Sequence, residues 1–171
     1  MELQFKPVNE KNRKEILSLE LREDQKKFIE SIENCLSEAD SHSCWHAVGI
    51  YDGNVLIGFA MYGLFWEYLP FGRLWLNRFL IDRRYQSMGY GKAALMDLLK
   101  RLWKKYHRKH IYLSVTDDNQ TASALYHHFG FAYTGERDMR NERVMVLKIA
   151  KQPPPQLNMT FALYRSRGSF L

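Results

Sequence analysis

Gln86-Ser87-Met88-Gly89-Tyr90-Gly91 stands between an apolar run, Leu74–Ile81, and an amphipathic stretch, Gly91–Tyr106. The run reads as a strand, and the stretch as a helix with Leu95, Leu98, Leu99 and Leu102 on one stripe. A glycine-rich turn at that junction points backbone N–H groups outward at the positive end of the helix dipole. This is an anion cradle, and pyrophosphate is its natural guest. The spacing Q-x-x-G-x-G lacks the span of G-x-G-x-x-G and the Lys-Ser/Thr ending of a P-loop, which argues against a dinucleotide or ATP. A second run, Asn119 to Phe131, reads N-x-x-A-x-x-L-Y-x-x-x-G-F. Asn119 can cap a helix, Ala122 and Leu125 can pack on a sheet, and Gly130 can supply a left-handed stop. Tyr126 points to another face than Leu125; by spacing alone a half-buried packing tyrosine is an equal reading.

The elements that must position these runs follow from periodicity. Leu3–Val8 reads as a strand. Asn9 caps a helix running to about Leu21, with Ile16, Leu17 and Leu19 inward. A second helix is predicted over Asp24–Ala39, with Phe28, Ile29, Ile32, Cys35, Leu36 and Ala39 as its stripe. Trp45–Tyr51 and Val55–Leu64 read as strands around the hairpin signal Asp52-Gly53-Asn54, and Trp66–Gly72 as a loop. His110–Val115 is a strand, Asn119–Phe129 a short helix, and Phe131–Thr134 and Val144–Ile149 closing strands. The order β-α-α-β-β-β-α-β-α-β-β implies a single α/β (α+β) domain over 1–150, with a central mixed sheet and helices on both faces. Residues 151–171 follow as a proline-rich tail, either disordered or docked on a partner subunit.

The two motifs in this order, about 30 residues apart, resemble the GNAT superfamily of acetyl-CoA-dependent N-acetyltransferases over about Leu3–Ile149. Phe28–Ser31, Gly58–Gly63, Trp75–Asp82 and the stretch from Gly135-Glu136 through Glu142–Met145 narrow the resemblance. They are similar to bacterial spermine/spermidine N-acetyltransferases of the kind associated with multidrug-efflux operons. The resemblance implies strands splayed at a cofactor cleft. Phe79, Leu80 and Ile81 would lie there and pair with the pantetheine amides of acetyl-CoA. Gln86, Ser87, Met88, Gly89, Tyr90, Gly91 and Lys92 would hold the pyrophosphate, and Asn119 the cofactor arm. Tyr126 would protonate the leaving thiolate, a role that suits a phenol with a reference pKa of ~10. Gln86 stands where the superfamily often has Arg. Asn77 stands where related sequences often have Asp, and the 66–72 loop is less acidic than theirs.

A polyamine acceptor needs carboxylates along a groove and aromatic walls for its methylenes. Glu30, Glu33, Ser37 and Asp40 are spaced three, four and three apart, which puts them on one face of the second predicted helix. An ordinary solvated face is the competing reading. Glu67 lies among Trp66, Tyr68 and Phe71, and Asp82 falls at a strand end just before the cradle. Glu136, Asp138 and Glu142 are further candidates. Glu30 and Asp82 are taken first as groups that anchor an ammonium or accept the amine's proton, with Phe28, Glu33 and Glu67 beside them on the substrate. Acetylation of a protein N-terminus, an aminoglycoside or another small amine is the alternative chemistry. A non-catalytic acyl-CoA-binding module is the alternative of another class.

Composition sets outer bounds. Of 171 residues, 46% are apolar and 14% aromatic, which fits a packed globule. The net charge of +6 falls to +3 over 1–150, because the tail holds Lys151, Arg165 and Arg167 and no acid. That balance, and a basic run Lys100–His110 that suits a helix C-terminus, point away from nucleic acid. His107, His110, His127 and His128 lack metal-ligand spacing. Cys35 and Cys44 match no zinc or redox motif and read as reduced thiols. No run of 18 apolar residues and no signal-peptide pattern appear. A cytoplasmic protein, a homodimer and no metal or membrane partner are the resulting expectations.

Overall fold

A computed structural model describes residues 2–67 and 72–149. The tail assigned to 151–171, and Tyr68 and Phe71 of the aromatic group around Glu67, lie outside the described residues. The elements run β1 (Leu3–Pro7), α1 (Glu10–Leu17), α2 (Ile32–Ser41), β2 (Trp45–Asp52), β3 (Val55–Phe65) and β4 (Arg73–Ile81). Then come α3 (Tyr90–Tyr106), β5 (His110–Val115), α4 (Gln120–His128), β6 (Ala132–Arg137) and β7 (Arg143–Lys148). One seven-stranded sheet has the order β1-β2-β3-β4-β5-β7-β6, with β4 and β5 parallel and every other neighbouring pair antiparallel. The predicted α/β domain with a mixed sheet is therefore the fold.

Both faces of the sheet carry an apolar layer. Leu95, Leu98, Leu99 and Leu102 of α3 pack with Leu74, Leu76, Ile111 and Leu113 on one face. Ile16, Cys35 and Leu36, from α1 and α2, pack with Phe59, Met61 and Leu80 on the other. A four-residue leucine stripe of this kind stabilises by roughly 1.5–3 kcal/mol per buried side chain.

The first two helices are shorter than their periodicity suggests. Asn9 caps α1 as predicted, accepting from Lys11 N–H and exchanging bonds with Asn12. Helix α1 stops at Leu17, where the Ser18 hydroxyl bonds back to the Glu15 carbonyl. Leu17 is consequently exposed, whereas Ile16 and Leu19 are buried. The helix expected over 24–39 is divided. Glu23–Gln25 form a single 3-10 turn, and α2 begins only at Ile32, because the Ser31 side chain accepts from Asn34 N–H and fixes the N-terminus there. Phe28, Ile29 and Glu30 thus belong to the connection ahead of α2. Glu30, Glu33, Ser37 and Asp40 do not form one helical face.

The sheet divides between β4 and β5. These strands pair only at Leu74↔Ile111 and Trp75↔Tyr112. Beyond that point β5 stays with β7, up to Val115↔Arg143, and β4 stays with β3, up to Ile81↔Gly58. The cause sits in β4. Met61 opposes Arg78 and Tyr62 opposes Leu76, which leaves Asn77 as an extra, unopposed residue. Such a bulge bends its strand and reverses the inward face. Leu74 and Leu76 accordingly face the α3 layer, whereas Leu80, also an even position, faces the opposite layer. The splayed strands are thus built into β4 at Asn77.

Candidate active site

A cleft of about 770 Å³ opens at the split. Phe79, Leu80 and Ile81 of β4 line one wall, Gln86, Ser87, Gly89, Gly91 and Lys92 the end at α3, and Asn119, Leu125 and Tyr126 the α4 side. Phe28 and Ile29 close it from the connection ahead of α2.

At the α3 end the groups left open are backbone N–H groups. Gly89 is the N-cap residue, with φ of +85° and no side-chain bond capping the helix. The N–H groups of the first turn therefore have no acceptor within the helix. A Cβ placed on Gly89 would meet nothing within 4 Å, so the space in front of those N–H groups is open. A phosphate fits this arrangement. Ser87, with φ of 64°, is a second left-handed position in the turn. The Gln86 side chain does not point at an anion. Its amide nitrogen donates to Gln25 Oε1 and to the Ile81 carbonyl, both at 2.8 Å, and clasps the turn to β4 and the 3-10 segment. Met88 and Tyr90 do not line the cleft. Met88 is exposed, and the Tyr90 hydroxyl donates to Asp52 Oδ2 at 2.7 Å. Any contact these two make to an anion in the cradle is through backbone.

Asn119 caps α4, its Oδ1 accepting from Ala122 N–H at 3.1 Å. Tyr126 stands two turns on, its ring 5.8 Å from that of Phe131. Burial pushes its phenol up to about 12, and the Glu142 charge adds to the effect. Tyr126 therefore holds its proton at neutral pH, as a group that gives a proton must.

The carboxylates selected from sequence behave differently. Of Glu30, Glu33, Glu67 and Asp82, none lines the cleft. Asp82 is fully buried and its oxygens are saturated. Oδ1 accepts from the Arg84 N–H and Nε, and Oδ2 from Glu20 N–H and Arg84 Nη2, at 2.8–3.0 Å. Burial alone would push the carboxyl up, but these hydrogen bonds hold it below its ordinary value. Asp82 is a bracket between the end of β4 and the chain after α1, and this geometry replaces its expected part as ammonium anchor or base. Glu33 and Glu67 are exposed. Glu30 is claimed by two arginines: Oε2 accepts from Arg78 Nη2 at 2.8 Å and Oε1 from Arg140 Nη2 at 2.5 Å. Burial opposes its charge, and the two guanidiniums more than offset that, holding it below the usual range.

Glu142, a further candidate from sequence, does not line the cleft either, but its charge reaches Tyr126, and Ser114, which spacing did not single out, holds it. Leu113 and Val115 face the α3 layer, so Ser114 faces the opposite side of the sheet. Its hydroxyl donates to Glu142 Oε2 at 3.0 Å. Among the described residues, most carboxylates nearby are matched by arginine: Glu136 by Arg73, and Asp117 by Arg137 and Arg143. Asp138 accepts from the N–H groups of Arg140 and Glu142 and shapes the turn before β7. Glu142 has no cationic partner among the described residues. Arg78 and Arg140 could not be paired with Glu30 from spacing, since they lie 48 and 110 positions away.

No group of three or more His, Cys, Asp or Glu among the described residues could hold a metal, and no described helix is long and apolar enough to cross a membrane.

The acetyltransferase (GNAT) family model matches residues 9–131. A spermine/spermidine N(1)-acetyltransferase of Bacillus subtilis is 43% identical over 152 residues, which cover 87% of this chain and all of the relative. Among solved structures, a spermidine N-acetyltransferase from Vibrio cholerae in complex with CoA and spermine superposes with a TM-score of 0.64 at 17% identity, over 85% of this chain and 95% of that one. The ribosomal-protein-S18-alanine N-acetyltransferase of Escherichia coli gives 0.63 at 18% identity, over 90% and 97%. At such identities the two structures speak for the fold alone. The cradle, the split sheet and the Asn119–Tyr126 helix stand within or beside the matched region, and the chain belongs to the acetyltransferase (GNAT) family.

Proposed function

We propose that this protein transfers the acetyl group of acetyl-CoA directly to a primary amine of spermine or spermidine. The observation that carries the reading is the split between β4 and β5, which opens beside Tyr126 and ends at a cradle of unsatisfied N–H groups. It is supported by the name of the Bacillus relative, every part of which this chain matches. The first turn of α3 holds the pyrophosphate, and the free side of β4 from Phe79 to Ile81 offers backbone groups to the pantetheine arm.

An alkylamine with a pKa near that of lysine, ~10.4, arrives protonated. Glu142 takes one proton and passes it to water. The freed nitrogen attacks the thioester carbon, the C–S bond breaks, and Tyr126 gives its proton to sulfur. The extra proton on the new amide nitrogen then restores the tyrosine, so one proton is released per turnover. Carboxylates fix the acceptor by proximity, with no acetyl-enzyme. We place the reaction in the cytoplasm and expect a homodimer, which sedimentation checks.

Steady-state kinetics with spermine, spermidine and a lysine peptide, read by thiol release, test the reading. A higher kcat/KM for the peptide defeats the polyamine assignment. A single-amine acceptor is the competing reading, favoured by the arginines that neutralise Glu30, Glu136 and Asp117.

A further inference from the structure

We infer that the Arg140 guanidinium occupies, at Glu30, the seat of a substrate ammonium, and that the acceptor binds by displacing it. This rests on the polyamine reading. The two arginines on Glu30 are unlike. Arg78 is 11% exposed, rises from β4 just past the bulge, bonds both the carbonyl and the side-chain oxygen of Asn77, and lies 3.9 Å from Glu38. It is part of the framework. Arg140 is 49% exposed, stands in the turn between β6 and β7, and meets Glu30 as its ion-pair partner.

Charge counting gives the seat its sign. Glu30, Glu38 and Arg78 together carry one net negative charge, and Arg140 brings the group to neutrality. The place takes one cation, and Arg140 supplies it from within the chain. A half-exposed ion pair is weak, so an ammonium that makes the same contact replaces it at small cost, whereas expelling Arg78 would strand a buried charge.

The position suits a second ammonium, not the reacting amine. Glu30 directly follows Phe28 and Ile29, and Arg78 directly precedes Phe79; those three apolar residues line the cleft. A methylene chain lying on them reaches Glu30 with its far end while its near end is in the cleft. The reacting nitrogen must lose its charge, but the far one keeps it. Arg140 thereby sets a threshold: an acceptor with a single amine has nothing to offer Glu30, and a polyamine does.

The test joins binding to turnover in the full chain. Spermidine binding to the CoA-loaded protein is followed by calorimetry, and acetylation by thiol release, for wild type, Arg140→Gln, Arg140→Lys, Glu30→Gln and the double variant Glu30→Gln/Arg140→Gln. Arg140→Gln is expected to tighten spermidine about fivefold, with KM for acetyl-CoA unchanged and the gain erased by high salt. Arg140→Lys keeps the competing cation and should stay near wild type. Glu30→Gln should weaken spermidine about tenfold. In the double variant the gain from Arg140→Gln should vanish, because the seat is gone. Unchanged or weaker binding in Arg140→Gln, or a gain that persists without Glu30, overturns the inference. If wild type acetylates spermidine but Arg140→Gln alters nothing, the displacement fails and the proposed activity stands. If Arg140→Gln tightens binding but no variant acetylates a polyamine, the seat stands and the activity fails.

Discussion

The surroundings of the two ends of the cleft differ in what they present: backbone groups at one, charged side chains near the other. At α3 they are backbone N–H groups, held by one left-handed glycine and a clasp from Gln86. Toward β7 and the connection ahead of α2, the charges are carried by side chains outside the cleft lining: Glu30, Arg78, Arg140 and Glu142. A backbone cradle fits one kind of ligand and tolerates change in side chains. A side-chain end is tuned by single substitutions, and Glu30 there already has internal claimants in Arg78 and Arg140. The contrast suits an enzyme with a fixed donor and an adjustable acceptor.

The sharpest way to break the contrast is to remove the group between the ends. Tyr126→Phe is expected to lower kcat by about 10²–10³ with acetyl-CoA affinity unchanged, as for loss of a general acid. A large loss of affinity instead would place Tyr126 in binding. Gly89→Val attacks the cradle. Open space in front of Gly89 removes the steric objection to a Cβ, but φ of +85° is strained for a β-branched residue, so the first turn must rearrange. Acetyl-CoA Kd should rise at least about tenfold, while calorimetry with spermidine alone stays near wild type.

Asp82→Asn tests the bracket. Removing the charge that meets Arg84 and two N–H groups is expected to lower stability by about 2 kcal/mol with kcat nearly intact, read by urea unfolding and kinetics. A collapse of kcat in a stable variant would return Asp82 to the chemistry. At the acceptor end, Glu142→Gln should cut kcat/KM for the amine about tenfold, and the remaining activity should rise with pH as more amine arrives deprotonated. The smallest effect is on acid stability. Asp82 and Glu30 are held below their ordinary values in the fold, so the unfolded chain binds more protons at low pH. Their contribution is full above the unfolded values, near 4, and is lost as pH falls through the folded ones. Thermal melting in acid should therefore show a shallower pH dependence for Asp82→Asn than for wild type.

What could be read from sequence follows the same division. The cradle, the Asn119 cap and the left-handed Gly130 are local: a few adjacent residues determine their own backbone, and the fold places them as expected. The leucine stripe of α3 is local too. The acceptor end depends on partners brought together by the sheet. Spacing leaves Glu30 available because Arg140 lies 110 positions away, and the helix expected to carry it begins only after the Ser31 cap. Asp82 is the instructive case, since Arg84 stands two residues on. Its saturation also depends on Glu20 N–H, which the fold brings against it from 62 positions away. The bulge at Asn77 needs β3 to define it, because a lone extra residue has no signature until its neighbours pair.

The split in the sheet has a thermodynamic consequence. Past Trp75, β4 has no strand on one side among the described residues, and under the proposed function the donor lies against that edge. Whatever lies there behaves as a piece of the fold as much as a guest, and folding and occupancy become one linked equilibrium. A donor at a hundred times its Kd adds about 2.7 kcal/mol to the stability of the chain. Under that reading, resistance to heat or protease is expected to track donor concentration.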